Sequence, residues 1–164
     1  MPASEYSPLS ELPVEELLAS TGYTVTARGL MHKDGRVMLA LGVGDRLWRL
    51  PGGVVRRMET PTDAVRRSIH GATGVFVSVG SFLGVVHNPC ECTMELVFGI
   101  RPVEGCQVRL DREQIVHALW FRMNALPANC CECARSAASA FMDGALSPFL
   151  VTHRGGNNGV WQSW

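Results

Sequence analysis

The sequence predicts an α+β fold, an α/β/α sandwich in which a mixed sheet is packed between helices. Three observations predict it. Runs with strand-like apolar spacing fall both before and after a capped helix that begins near Pro61. A second helical pattern, rich in alanine, follows the last of these runs. Turn signals built from Gly, Pro and Asn separate the runs at short intervals.

Taken in order, residues 1–21 begin polar and end in a short helical pattern. There Leu12, Val14, Leu17 and Leu18 make one small apolar face, which reads as an N-terminal arm. The body of the domain spans 22–144. Its first element is a hairpin, with Val25, Ala27 and Leu30 on one arm and Val37, Leu39 and Leu41 on the other. Lys33-Asp34-Gly35 forms the turn, because Asp-Gly reaches positive φ cheaply. The stretch LWRLPGGVV is a short strand broken at Pro51-Gly52-Gly53, where two glycines let the backbone turn and approach a ligand. A helix is expected over residues 61–72. Thr60 is its N-cap, Pro61 its first position, Asp63 its capping-box acid and Gly74 its stop, with Val65, Ile69 and Ala72 as the buried stripe. Residues 75–87 and 92–103 read as two long strands turning at Asn88-Pro89, and 115–122 as another. The second helix is expected over 130–142, capped by Asn129, with Ala134, Ala137, Ala138 and Phe141 as its apolar stripe. A Gly/Asn-rich tail, 145–164, carries Trp161 and Trp164 but no periodicity.

Bulk properties narrow the function classes. A chain of 164 residues makes one domain with a real core. Lys+Arg and Asp+Glu both number 15, so no global charge draws the protein to nucleic acid or anionic membrane, although local patches can still act. The first residues lack the basic and apolar regions of a secretory signal, and no apolar run reaches the ~18 residues of a spanning helix. A cytoplasmic location is therefore expected, and with it six mostly reduced cysteines.

The segment from Trp48 to Val75 resembles the Nudix hydrolases. The family box runs Gly, five residues, Glu, seven residues, then Arg-Glu-apolar-any-Glu-Glu-any-Gly-apolar. Gly53, Glu59, Arg67, Ile69, Gly74 and Val75 match it, as do Trp48, Leu50, Pro51 and Gly52 upstream. Trp120-Phe121 with Leu126-Pro127 resembles a trailing signature of the family. The resemblance covers most of residues 22–143 and implies the Nudix fold. It also implies three metal-holding glutamates at positions 68, 71 and 72, where this chain has Ser68, Gly71 and Ala72. Magnesium needs oxygen ligands, usually one or two carboxylates plus substrate phosphate, and a hydroxyl and a methyl group do not replace them. Metal is therefore not expected at the box. Glu59 and Arg67 correspond to the pair that braces the family's loop against its helix, a structural role. Glu59, Glu113 and His117 remain as candidate catalytic groups.

Arg56, Arg57 and Arg66, with Arg67, put four arginines within twelve residues. They read either as a solvated surface or as an anion site in which guanidinium groups and loop N–H groups replace Mg²⁺ as counter-charge. The cysteines leave three readings open: buried thiols, reactive thiols at Cys130 and Cys131, or a zinc site from Cys90, Cys92, Cys130 and Cys133. No DNA-binding module is recognised. Three functions compete. The leading one is a Nudix-like protein without ordinary Mg²⁺-dependent hydrolysis that binds a nucleotide or other small phosphorylated ligand. The others are a divergent Mg²⁺-dependent hydrolase of nucleoside diphosphate-linked substrates, and a zinc-stapled or partner-binding structural domain.

Overall fold

The computed structural model describes residues 22–144 and 148–152, with the backbone of 160–163. The N-terminal arm, His153, Trp164 and the side chain of Trp161 lie outside the described residues. In chain order the elements are β1 (Thr24–Leu30), β2 (His32–Lys33), β3 (Arg36–Gly42), β4 (Gly52–Val54), α1 (Pro61–Thr73), β5 (Val77–Asn88), β6 (Thr93–Pro102), β7 (Ile115–Arg122), α2 (Glu132–Met142), β8 (Phe149–Thr152) and β9 (Val160–Ser163).

The strands divide between two sheets. A mixed six-stranded sheet has the order β4-β1-β6-β5-β8-β9, with β1 parallel to β6 and β5 parallel to β8. A smaller antiparallel sheet has the order β2-β3-β7. The expected hairpin is corrected by this division. Its turn is right, since Asp34 and Gly35 both have positive φ, but the turn joins β3 to the two residues of β2. β1 instead pairs with β4 and β6, because its two faces alternate between two separate cores.

Those cores lie on opposite faces of the large sheet. On one face Ala64, Val65 and Ile69 of α1 pack against Ala27, Phe98 and Ile100. On the other, Cys133, Ala134, Ala137 and Ala138 of α2 pack against Leu30, Val37, Leu39, Val86 and Val97. Each fully buried aliphatic side chain contributes roughly 1.5–3 kcal/mol. Successive residues Val97 and Phe98 enter different cores, as the two-residue period of a strand covered on both faces demands.

α1 begins as the sequence suggests and ends at a left-handed Gly74, whose N–H bonds the His70 carbonyl. The Thr60 hydroxyl accepts from the Asp63 N–H at 3.2 Å and donates to the Asp63 carboxylate at 2.6 Å. Asp63 thus engages the cap hydroxyl, where a capping-box acid would engage the cap N–H. Ala72 is only half-buried, and Ala64 takes its place in the stripe. Thr60→Ala should lower stability by about 1 kcal/mol in urea unfolding.

Three other expectations change. α2 is capped by Cys131, whose sulfur accepts from the Ala134 N–H, while Asn129 bonds the Arg46 carbonyl instead. Phe141 is exposed; Ser136 and Ala140 are buried, because α2 turns a wider face of small residues to the sheet. Part of the tail is structured: β8 and β9 extend the large sheet beyond β5. Phe149 and Val151 are buried there in strict alternation, a signal too short to stand out beside the Gly/Asn-rich stretch. No helix among the described residues is long and apolar enough to cross a membrane.

Candidate functional site

The Gly52-Gly53 pair packs tightly on both sides. A side-chain carbon on Gly52 would lie 2.1 Å from the Ala27 carbonyl oxygen of β1, and Gly52 holds φ at 150°. One on Gly53 would lie 2.4 Å from the Ser68 hydroxyl of α1. Only bare backbone allows β4 to fit between strand and helix.

After β4 the chain loops out and is clamped back by one side chain. The Arg67 guanidinium donates to both Glu59 oxygens, at 2.6 and 2.9 Å, and to the Val54 carbonyl at 2.9 Å. The Arg56 N–H donates to the same carboxylate at 2.9 Å. Arg67 is the main reason that the Glu59 carboxyl titrates low, at about 2 against an ordinary 4.5. At the other end of α1 the Arg109 and Asp111 N–H groups cap the carbonyls of Thr73 and Ala72. That docking carries Gln114 and Ile115 to the cavity beside the helix.

The cavity measures about 520 Å³. Ser68, Gly71 and Ala72 are on its wall, as are Gly52 and Gly53. Four arginines line it: Arg28, Arg49, Arg56 and Arg67. Asp45 is the acid on the wall, and it is paired with Arg49 at 3.0 Å. Behind the wall, Glu95 is paired with Arg28 at 3.0 Å, both side chains 15% exposed. Asp45, Glu95 and Glu59 therefore each already hold an arginine, whereas Asp111, whose N–H caps Ala72 beside the cavity, accepts from the Gln114 amide and the Glu113 N–H. The Ser68 hydroxyl is buried with no hydrogen-bond partner among the described residues.

Of the arginines singled out in the sequence, Arg56 and Arg67 reach the wall. Arg66 is paired with Asp63 on the exposed side of the helix, and Arg57 is exposed. Glu113 is exposed, with its N–H on the Asp111 carboxylate, and is not part of the wall. His117 is also exposed, its ring 6.4 Å from that of Trp48. Sequence reasoning missed Arg28, Arg49 and Asp45. They lie outside the box, on β1 and on the loop after β3, and no motif spacing marks them.

The zinc reading is corrected. Cys90 and Cys92 are exposed, whereas Cys130 and Cys133 are buried in the α2 core. No three His, Cys, Asp or Glu side chains among the described residues come together as a metal site. The two clusters sit on different elements, and the buried one serves as packing and as a helix cap. The Cys131 thiol titrates low, at about 7, chiefly because the Cys130 thiol lies beside it. That same contact, with burial, pushes Cys130 up.

The two-sheet arrangement around a loop–helix unit is a Nudix-like fold. No family model matches the chain. It is 33% identical over 86 residues to a MutT-like protein of Streptomyces ambofaciens, a match covering 52% of this chain and 56% of that one. The chain thus spans about half the length of that relative. Among solved structures, the MutT Nudix hydrolase of Burkholderia pseudomallei matches with a TM-score of 0.64 at 25% identity, over 71% of this chain and 95% of that one. A UDP-X diphosphatase matches with a TM-score of 0.67 at 20% identity, over 85% and 76% of the respective chains. The protein is related to the MutT and Nudix hydrolases.

Proposed function

We propose that this protein binds a small phosphorylated molecule or nucleotide in the arginine-lined cavity, without the divalent metal on which Nudix hydrolysis depends. The observation that carries the reading is the pairing of Asp45, Glu59 and Glu95 with arginines around a wall whose box positions are Ser68, Gly71 and Ala72. Magnesium needs free carboxylate oxygens, so these residues do not fit it. An anion suits them better. The Arg56 guanidinium makes no hydrogen bond to a described residue and lines a cavity whose other three arginines are each paired with a carboxylate, so Arg56 supplies the counter-charge for a phosphate.

Calorimetry with UDP and ADP derivatives tests this. Affinity should be equal in Mg²⁺ and in EDTA, and Arg56→Ala should weaken it about tenfold, one charge-assisted hydrogen bond. Rapid Mg²⁺-dependent hydrolysis of these compounds would overturn it. The names of the relatives favour a second reading, a divergent hydrolase of nucleoside diphosphate-linked substrates. It requires Mg²⁺-stimulated phosphate release that is lost in Glu59→Gln or Glu113→Gln.

A further inference from the structure

The overall charge balance hides an asymmetry. Residues 1–21 hold Glu5, Glu11, Glu15 and Glu16 and no Lys or Arg, leaving 11 acids against all 15 basic residues in the remainder. Part of that excess is concentrated at the far end of β3 from the arginine-lined cavity. Lys33 pairs with Arg36 across β2 and β3, and Arg36 pairs with Arg122 across β3 and β7. Directly opposed residues share a sheet face, so three cations stand in a row about 10 Å long. All three are exposed, and none makes an ion pair with a described residue. Like charges directly opposite are unfavourable, and an anion laid across the row removes that cost.

The Arg36–Arg122 part of the row opens on a groove. One cavity of about 550 Å³ is lined by these two arginines, by Asp34 in the turn, and by His32 and Phe141. A second, of about 330 Å³, shares His32 and Phe141 and runs on to Arg101, which is also exposed and unpaired among the described residues. Between the cationic ends, the rings of His32 and Phe141 lie 4.3 Å apart, both exposed. The second cavity is floored by Gly80 and Gly99. Neither has positive φ, and a side-chain carbon would meet nothing nearer than 3.4 Å at Gly80 or 3.8 Å at Gly99. Packing does not require glycine there, and what the two residues maintain is an open floor. The β5–β6 ladder is also interrupted between Val79 and Phe82, which takes two residues of this floor out of register.

We propose that this groove binds a short single-stranded nucleic acid, with phosphates on the Lys33-Arg36-Arg122 row and on Arg101 and a base against the His32–Phe141 rings. Cationic ends around exposed aromatic rings are the chemistry that tracks a phosphodiester strand. An acidic peptide would use the charges and leave the rings and the open floor without a role.

The test is fluorescence anisotropy of the full chain with a fluorescein-labelled oligothymidylate of about eight nucleotides at low salt. The expected result is salt-dependent binding. Arg36→Glu with Arg122→Glu should weaken it at least about tenfold and reduce the salt slope by about one per arginine. Phe141→Ala, and independently Gly99→Leu, should each weaken it about tenfold through the base. Arg56→Ala, in the other cavity, should leave it unchanged, so failure here is distinguishable from failure of the phosphate-binding reading. Absence of binding, equal binding of the oligothymidylate by the parent and the Phe141→Ala chain, or competition by polyglutamate as strong as by unlabelled oligothymidylate would each overturn the proposal.

Discussion

Gly52→Ala is expected to cost at least about 3 kcal/mol in urea unfolding, the largest effect of any single methyl group at the site. The new carbon would stand 2.1 Å from the Ala27 oxygen and 2.9 Å from the Arg28 Cα. Both are backbone atoms of β1, so no side chain can swing away to relieve the contact. The φ of 150° adds strain that an L side chain rarely tolerates. Gly71→Ala gives the opposite expectation. Gly71 sits within α1 with nothing within 4 Å of an added carbon, so alanine should stabilise by roughly 0.5–1 kcal/mol through helix propensity alone. A Gly52→Ala chain as stable as the parent would refute the close approach of β4 to β1.

Glu59→Gln should cost about 2 kcal/mol at neutral pH, the scale of hydrogen bonds to a charged group. The lost carboxylate accepts from Arg67 twice and from the Arg56 N–H, and its side chain is 14% exposed. The sign of the pH dependence follows from its low titration point. A carboxyl at about 2 in the folded state and 4.5 otherwise contributes fully above about 4.5, and that contribution fades as pH falls towards 2. The stability gap between the parent and Glu59→Gln should therefore be constant near neutrality and close on acidification. A gap unchanged down to pH 2, measured by denaturant titrations across that range, would remove Glu59 as the clamp. Because Arg67 and Arg56 both line the cavity beside α1, the same substitution should weaken the phosphate binding proposed there as the loop loosens.

Much of this was legible because its physics is local. Thr60, Pro61 and Gly74 set the ends of α1 through caps whose partners lie within four residues. Asp34-Gly35 sets its turn by backbone preference alone. The Glu59–Arg67 clamp follows from motif spacing, since eight residues take the chain from the end of the loop through about two turns of α1. What failed depended on distant partners. β1 looked like one arm of a hairpin, but two cores on opposite faces of the large sheet draw it away from β3. Phe141 fits a helical stripe, yet the alanines and Cys133 already fill the face that α2 presents. Cys90 and Cys92 looked like half of a metal site until burial separated them from Cys130 and Cys133.

By itself, the sequence determined the loop–helix unit, its glycine pair, its clamp and its bare positions at Ser68, Gly71 and Ala72. Each rests on neighbours close along the chain. Only the tertiary structure decided which charges surround that unit. Arg28 arrives on β1 and Arg49 from the loop after β3, while Glu95 on β6 and Asp45 hold them in place. The assembly of Lys33, Arg36 and Arg122 into a row likewise depends on strand register. Asp45 and Arg49, like Lys33 and Arg36, are near neighbours along the chain, but only cross-strand pairing and burial set them beside Arg28, Glu95 and Arg122, and those long-range contacts gave the site cavity and the groove their charge.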